Sequence, residues 1–271
     1  MSVGAVLEAC RAEERAALVG YLPVGYPDVP TSVQAMIAMV QAGVDIVEVG
    51  LPYSDPLMDG PVIQRAADGA LRAGTRVKDT FTATRAIADT GTPALVMTYW
   101  NPILRFGVDR FARHLADSGA AGLITPDLIP DEATEWIDAS DAYGLDRVFL
   151  VAPSSTRERL VAATSACRGF VYAASTMGVT GTRDSVGSAA EDLVNRTRQV
   201  TDLPVCLGLG VSNGAQAAAV ARFADGVIVG SALVRTMTEA ASGPEGIRRL
   251  REVVTDLAEG VRSGRDRVRA S

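Results

Sequence analysis

Eight short apolar runs, each followed by a stretch of helix-like periodicity, set the tightest limit on what this chain can fold into. The runs are 17–24, 44–49, 94–99, 121–125, 147–151, 170–174, 204–209 and 226–229. Several are rich in Val and Ile and alternate only weakly. A strand with one face in water alternates apolar and polar residues; a parallel strand covered by helices on both faces does not. Strands of that kind separated by helices imply repeated βα units, and eight such units close a barrel. The predicted fold class is therefore α/β, a (β/α)8 TIM barrel with additional N-terminal and loop helices. At 271 residues the chain is near the ~250 usual for that barrel. One domain is expected over 1–271, with a frayed polar tail at 263–271.

Helices are expected at 31–41, 131–143, 191–200 and 213–222, the first two bounded by Pro and Gly signals. Segment 50–92 is too long for one loop and one helix, so it reads as a loop followed by helices at 62–73 and 77–89. Segment 175–188 is rich in Gly, Ser and Thr and starts no helix at once, as a mobile loop would. A doubly wound open sheet also alternates strand and helix, but it carries GxGxxG after its first strand. Here the first strand ends LPVGYPD, and the glycine pairs follow the last two runs, at Gly208 and Gly210 and at Gly230-Ser231. That placement fits the barrel phosphate site. One such pair alone would be an ordinary tight turn; both together, each before a helix start, would offer backbone N–H groups to an anion.

Composition removes several function classes. A net charge of −6 gives no chain-wide basic face for nucleic acid. Cys10, Cys167 and Cys206 are far apart with no CxxC pair, which suits a reduced, cytoplasmic protein, and Cys206 lies in a strand-like run as a core residue would. The N-terminus reads as an amphipathic helix with early acidic residues, unlike a signal peptide, and no apolar stretch is long enough for a membrane span. His114 is the one histidine and belongs to a helical pattern at 110–118, where a surface or packing role is expected. Triad chemistry and zinc binding therefore lack their usual groups. Lys78, the one lysine, falls in the helix expected at 77–89, away from a barrel mouth where a Schiff-base lysine would be needed.

Acid–base chemistry then falls chiefly on Asp, Glu or Tyr. Glu48 sits inside the apolar run VDIVEV on the same strand face as Ile46. Taken alone it reads equally as a strand-end residue facing solvent or pairing with an Arg, or as a carboxyl facing the barrel mouth. In the second case apolar surroundings would raise its pKa towards working pH. Asp55 and Asp59 follow in a loop restricted by three prolines, where either alone could simply form a turn.

Together these residues resemble one family. Residues 45–64, DIVEVGLPYSDPLMDGPVIQ, are similar to the signature of the tryptophan synthase α-chain, with E-x-G-x-P, then SDP, then DGP-x-IQ. Further matches are Tyr21-Leu22-Pro23, Pro126 to Pro130, the loop at 175–181, Gly208 to Ser212 and Gly230-Ser231-Ala232, in family order across residues 16–236. The resemblance implies retro-aldol cleavage of indole-3-glycerol phosphate to indole and glyceraldehyde 3-phosphate. It implies catalytic roles for Glu48 and Asp59 and substrate contacts from Tyr21, Tyr172, Thr180, Gly181, Gly210, Gly230 and Ser231. It further implies that Asp55 and Asp127 communicate with a β-subunit in an α2β2 assembly. Pyridoxal phosphate would belong to that β-subunit, with no cofactor or metal in this chain. The sequence departs from the family at Thr176-Met177, where Arg-Ser is common, at Met58, where a small residue is usual, and at Tyr21, where Phe often lies. Other readings are another phosphate-binding barrel, a non-catalytic activating subunit, and a stand-alone lyase releasing free indole.

Overall fold

Strands form where Val and Ile cluster. In the computed structural model, which describes residues 2–175 and 188–264, they are β1 (Ala17–Pro23), β2 (Ile46–Gly50), β3 (Ala94–Met97), β4 (Gly122–Ile124), β5 (Asp146–Val148), β6 (Leu150–Val151), β7 (Val171–Ala174), β8 (Val205–Gly208) and β9 (Gly226–Val229). All neighbouring strands pair in parallel in the order β5-β4-β3-β2-β1-β9-β8-β7-β6. The two ends of that order, β5 and β6, are one run of chain, so the sheet curls round into a nearly closed TIM barrel.

The run expected at 147–151 is thus two strands, not one. The break is Phe149, whose N–H donates to Cys167 Sγ at 3.3 Å while its carbonyl accepts from Tyr172 N–H at 3.2 Å. The helix expected at 131–143 is also corrected. Pro130–Glu132 forms a 3-10 turn, and α7 begins only at Thr134 and ends at Ala142. The other expected helices appear as α2 (Val29–Ala42), α3 (Pro61–Arg72), α4 (Val77–Ala88), α6 (Val108–Asp117), α9 (Ser188–Arg198) and α10 (Gly214–Ala221). Three helices have no sequence expectation: α5 (Trp100–Phe106), α8 (Arg157–Ala166) and α12 (Gly243–Ser263).

Alternation along the strands divides the core in two. Outward residues such as Leu18, Val47, Val96, Leu123, Leu207 and Val227 pack beneath the helices. Inward residues, among them Val19, Ile46, Leu95, Ile124, Phe170 and Ile228, fill the barrel, joined by Val3, Leu7 and Cys10 of α1 (Val3–Ala12). This N-terminal helix plugs one end of the barrel. It is fixed there by the Val3 N–H, which donates to the Asp146 carboxylate at 3.1 Å. Among the described residues no helix is long and apolar enough to cross a membrane.

The long α12 lies against α2, α10 and α11 (Ser231–Thr238). Its approach to α10 is backbone to backbone: a Cβ at Gly260 would collide with the Gly214 carbonyl. Rigid backbone cannot yield as a flexible side chain would. Gly260→Ala should therefore lower unfolding stability by about 1–3 kcal/mol, read from the midpoint of urea denaturation.

Candidate active site

The catalytic ends of barrel strands point into the mouth opposite the α1 plug. A cavity of about 480 Å³ opens there, lined by Tyr21, Glu48, Asp59, Tyr172, Gly210, Gly230 and Ser231 together with an apolar wall that includes Ile63, Met97, Leu150, Leu209 and Ile228. These residues come from both halves of the barrel.

Glu48 is placed by strand alternation two residues beyond Ile46, on the inner face of β2. It is 1% exposed, and neither carboxylate oxygen has a hydrogen-bond partner among the described residues. Burial pushes its pKa up to about 8, because the ionised form loses hydration and gains nothing in exchange. Such a group is a neutral acid at neutral pH and can become a base with little driving force.

Asp59 sits at the end of the proline-restricted loop, half-buried. Burial raises its pKa, opposed by a hydrogen bond from the Tyr99 phenol. The same phenol accepts the Met58 N–H at 2.9 Å. Tyr99, 4% exposed just beyond β3, thus ties down the loop from behind without lining the cavity. Sequence reasoning missed it, although an aromatic hydroxyl at the catalytic end of a barrel strand was the available signal.

Two tyrosines fill the mouth by the same device. Tyr21 pairs laterally with Glu48, and its hydroxyl end occupies the space that a side chain at Gly50 would need. Tyr172 pairs with Cys206 and leans over Gly208 in the same way. Each ring therefore depends on a glycine two residues beyond its strand partner. Burial first, then nearby carboxylates, raises both phenol pKa values well above the usual, so both remain protonated.

The glycine end offers donors. Gly210 has φ +86, a conformation suited to glycine, and open space where a side chain would project. Gly230 is the N-cap of α11 and brings no side-chain hydrogen bond to its first turn. Among the described residues no N-cap side chain engages that first turn, so its N–H groups can meet an anion, which the helix dipole favours there.

The comparisons with known proteins agree with this geometry. The sequence model described as "Tryptophan synthase alpha chain" matches residues 7–262. The chain belongs to the tryptophan synthase alpha chain family. The chain is 62% identical over 262 residues to the alpha chain of Mycobacterium tuberculosis (strain ATCC 25618 / H37Rv), spanning 97% of this chain and 95% of that one. The structure of Mycobacterium tuberculosis tryptophan synthase in space group F222 aligns with TM-score 0.89 and 62% identity, covering 96% of this chain and 98% of that one. The alpha chain of Legionella pneumophila subsp. pneumophila, only 29% identical, still aligns with TM-score 0.88 over 97% of this chain and 98% of that one.

Of the residues singled out by this family's signature, seven meet in the one cavity. Thr180 and Gly181 lie outside the described residues, as do Thr176 and Met177. Asp55 and Asp127 do not line the cavity. Asp55 is exposed and accepts the Ser54 hydroxyl at 2.6 Å. Asp127 accepts the Trp100 N–H at 2.9 and 3.1 Å, capping α5 immediately after Tyr99. His114 is exposed and stacks on Phe81 at 5.4 Å, a packing role. Cys206 is fully buried in the barrel interior.

The raised pKa of Glu48 has a stability consequence. The unfolded chain ionises this group near 4.5 and the folded chain near 8. Between those values the folded state binds the extra proton, so this group's contribution to stability falls as pH rises. Glu48→Gln should therefore unfold at higher denaturant than the native chain at pH 8, with the difference vanishing at pH 4. Equal midpoints at pH 8 would mean that Glu48 is not held in its neutral form.

Proposed function

We propose that this chain is the α-subunit of tryptophan synthase and cleaves indole-3-glycerol phosphate to indole and glyceraldehyde 3-phosphate. The observation that carries the reading is Glu48: a buried carboxyl without a hydrogen-bond partner among the described residues, neutral near pH 7, in a cavity that also holds Asp59 and two glycine-bounded donor sites. Breaking the bond between indole C3 and the glycerol chain requires a proton on C3 and removal of the carbinol proton. Glu48 gives the first proton and takes up the second, so one group with a pKa near working pH serves both steps. Protonation at C3 makes the indole nitrogen more positive, and an ionised Asp59 stabilises that charge where it develops. The phosphate, held by N–H groups at Gly210, Gly230 and Ser231, anchors the remote end and turns binding energy into orientation. Tyr21 and Tyr172 bound the space between. Thr180 and Gly181 complete this reading from the loop at 175–188.

The partner reading is supported by the same end of the barrel. Leu57, Leu104 and Ile129, on the consecutive connections after β2, β3 and β4, are 82%, 54% and 52% exposed. Exposed large apolar side chains on successive connections of one barrel end suit a protein partner. We assign that partner as a β-subunit, contacted through Asp55 and Asp127 in an α2β2 assembly that receives the indole. Pyridoxal phosphate belongs to that subunit on this reading. The one lysine here, Lys78, is exposed on α4, so a cofactor held through lysine has no anchor in this cavity. Three buried free thiols suit a cytoplasmic setting. Family membership favours this reading over a stand-alone lyase.

The test is release of glyceraldehyde 3-phosphate from indole-3-glycerol phosphate by the purified chain, alone and titrated with a matching β-subunit. The expected result is slow release that rises with the partner; no release in either condition would overturn the substrate assignment. Glu48→Gln and Asp59→Asn should each reduce turnover by at least ~10²-fold, and near-native turnover in either would remove that residue's role.

A further inference from the structure

Tyr21 and Glu48 face each other across the β1–β2 pairing, and both side chains point into the barrel mouth. The Tyr21 ring runs between the two ends of the cavity. A Cβ at Gly230 would meet its Cδ1 at 3.5 Å and its Cβ at 3.7 Å, whereas its hydroxyl end reaches the space over Gly50, beside Glu48. The ring is thus seated against the anion-binding turn while the phenol lies at the carboxyl end. Tyr21 is only 9% exposed, and its hydroxyl has no hydrogen-bond partner among the described residues. The phenol lines the cavity with an O–H that no described residue engages, a donor that a phenylalanine of nearly the same shape would lack. A hydroxyl held in that position can donate to an oxygen on a molecule that enters the cavity.

Which oxygen it meets follows from the two ends. With the phosphate at Gly230 and the indole nitrogen at Asp59, the glycerol carbons pass along the Tyr21 ring towards Glu48. We propose that the Tyr21 hydroxyl donates a hydrogen bond to the carbinol oxygen on the carbon joined to indole C3, so that this oxygen's own proton is directed at Glu48. This rests on the lyase reading above and adds a substrate-positioning residue to it. In the cleavage step the carbon–carbon bond breaks and its electron pair returns to the C3-protonated indole ring. The carbinol proton passes to the Glu48 carboxylate, and the carbon–oxygen single bond becomes the aldehyde double bond. Tyr21 keeps its proton throughout. Its hydrogen bond strengthens as negative charge grows on the oxygen losing its proton, so it contributes more in the transition state than in the bound substrate.

The experiment compares the native chain with Tyr21→Phe, each full-length and assembled with β-subunit. It measures kcat and KM for indole-3-glycerol phosphate, and the dissociation constant of 3-(indol-3-yl)propyl phosphate. That analogue keeps the indole, the chain length and the phosphate but lacks both glycerol hydroxyls. The expected result is a fall of about tenfold in kcat/KM, mostly in kcat, as for one lost hydrogen bond that strengthens in the transition state. Analogue affinity should stay within about twofold, because the analogue has no oxygen for the phenol to meet. Unchanged kcat and KM would overturn the proposal. So would an equal loss of analogue affinity, which would show that the substitution acts through cavity shape. If the native assembly fails to cleave the substrate, the lyase reading itself falls, and this proposal with it.

Discussion

Everything at this barrel's mouth turns on one unfavourable act: burying the Glu48 carboxyl with no hydrogen-bond partner among the described residues. Ionised, such a group would forfeit its hydration without return, so the fold holds it neutral and raises its pKa to about 8. That condition survives only while water is kept from the barrel interior. The α1 plug closes the far end through Val3, Leu7 and Cys10, and the inward apolar layer of Val19, Ile46, Leu95 and Phe170 lies on the same side of the barrel as the carboxyl. The plug therefore acts on Glu48 at a distance, by maintaining the apolar medium in which it sits.

Space is the second constraint. Strands of a small barrel converge on an interior that side chains fill, and two tyrosine rings could not lean into it unless neighbours gave way. Gly50 and Gly208 are those neighbours, each at the position its tyrosine overhangs. Glycine in a strand normally weakens it, so its presence marks a close approach by another group. Here that group is a phenol in each case. The glycines at 210 and 230 serve a different end, freeing backbone N–H groups, so four glycines of similar appearance divide between making room and making donors.

The positions of the strands were legible in the sequence because most strands are buried on both faces and read as continuous apolar runs. The division at Phe149 was not, since it depends on a hydrogen bond to Cys167, a residue eighteen positions on. The signals of α12 were present, with Ser242 as N-cap, Pro244 in the first turn and apolar residues at Leu250, Val254, Leu257 and Val261. It lies beyond the last βα unit, where the repeat no longer announces a helix. At the site, Glu48 was visible as a charge inside an apolar run. Tyr99 was visible only as a hydroxyl at a strand's catalytic end; its importance lies in what that hydroxyl touches, Met58 and Asp59, and no spacing encodes that contact.

The two carboxyls also differ in what holds them. Glu48 is part of a central strand, with β1 and β3 hydrogen-bonded on either side, and cannot shift without disturbing the barrel. Asp59 rides on a loop whose attachment is lateral: Tyr99 grips it at Met58, and Tyr53 of the same loop contacts the Tyr99 ring and accepts a hydrogen bond from Asn101 of α5. Asp127 caps the first turn of that same helix. The exposed apolar residues Leu57, Leu104 and Ile129 belong to these connections. A load applied to this face is therefore felt by Asp59 before it reaches Glu48. The fold thus separates a carboxyl fixed in a central strand from one carried on a laterally held loop, and on the proposed reading these are the proton carrier and the charge stabiliser.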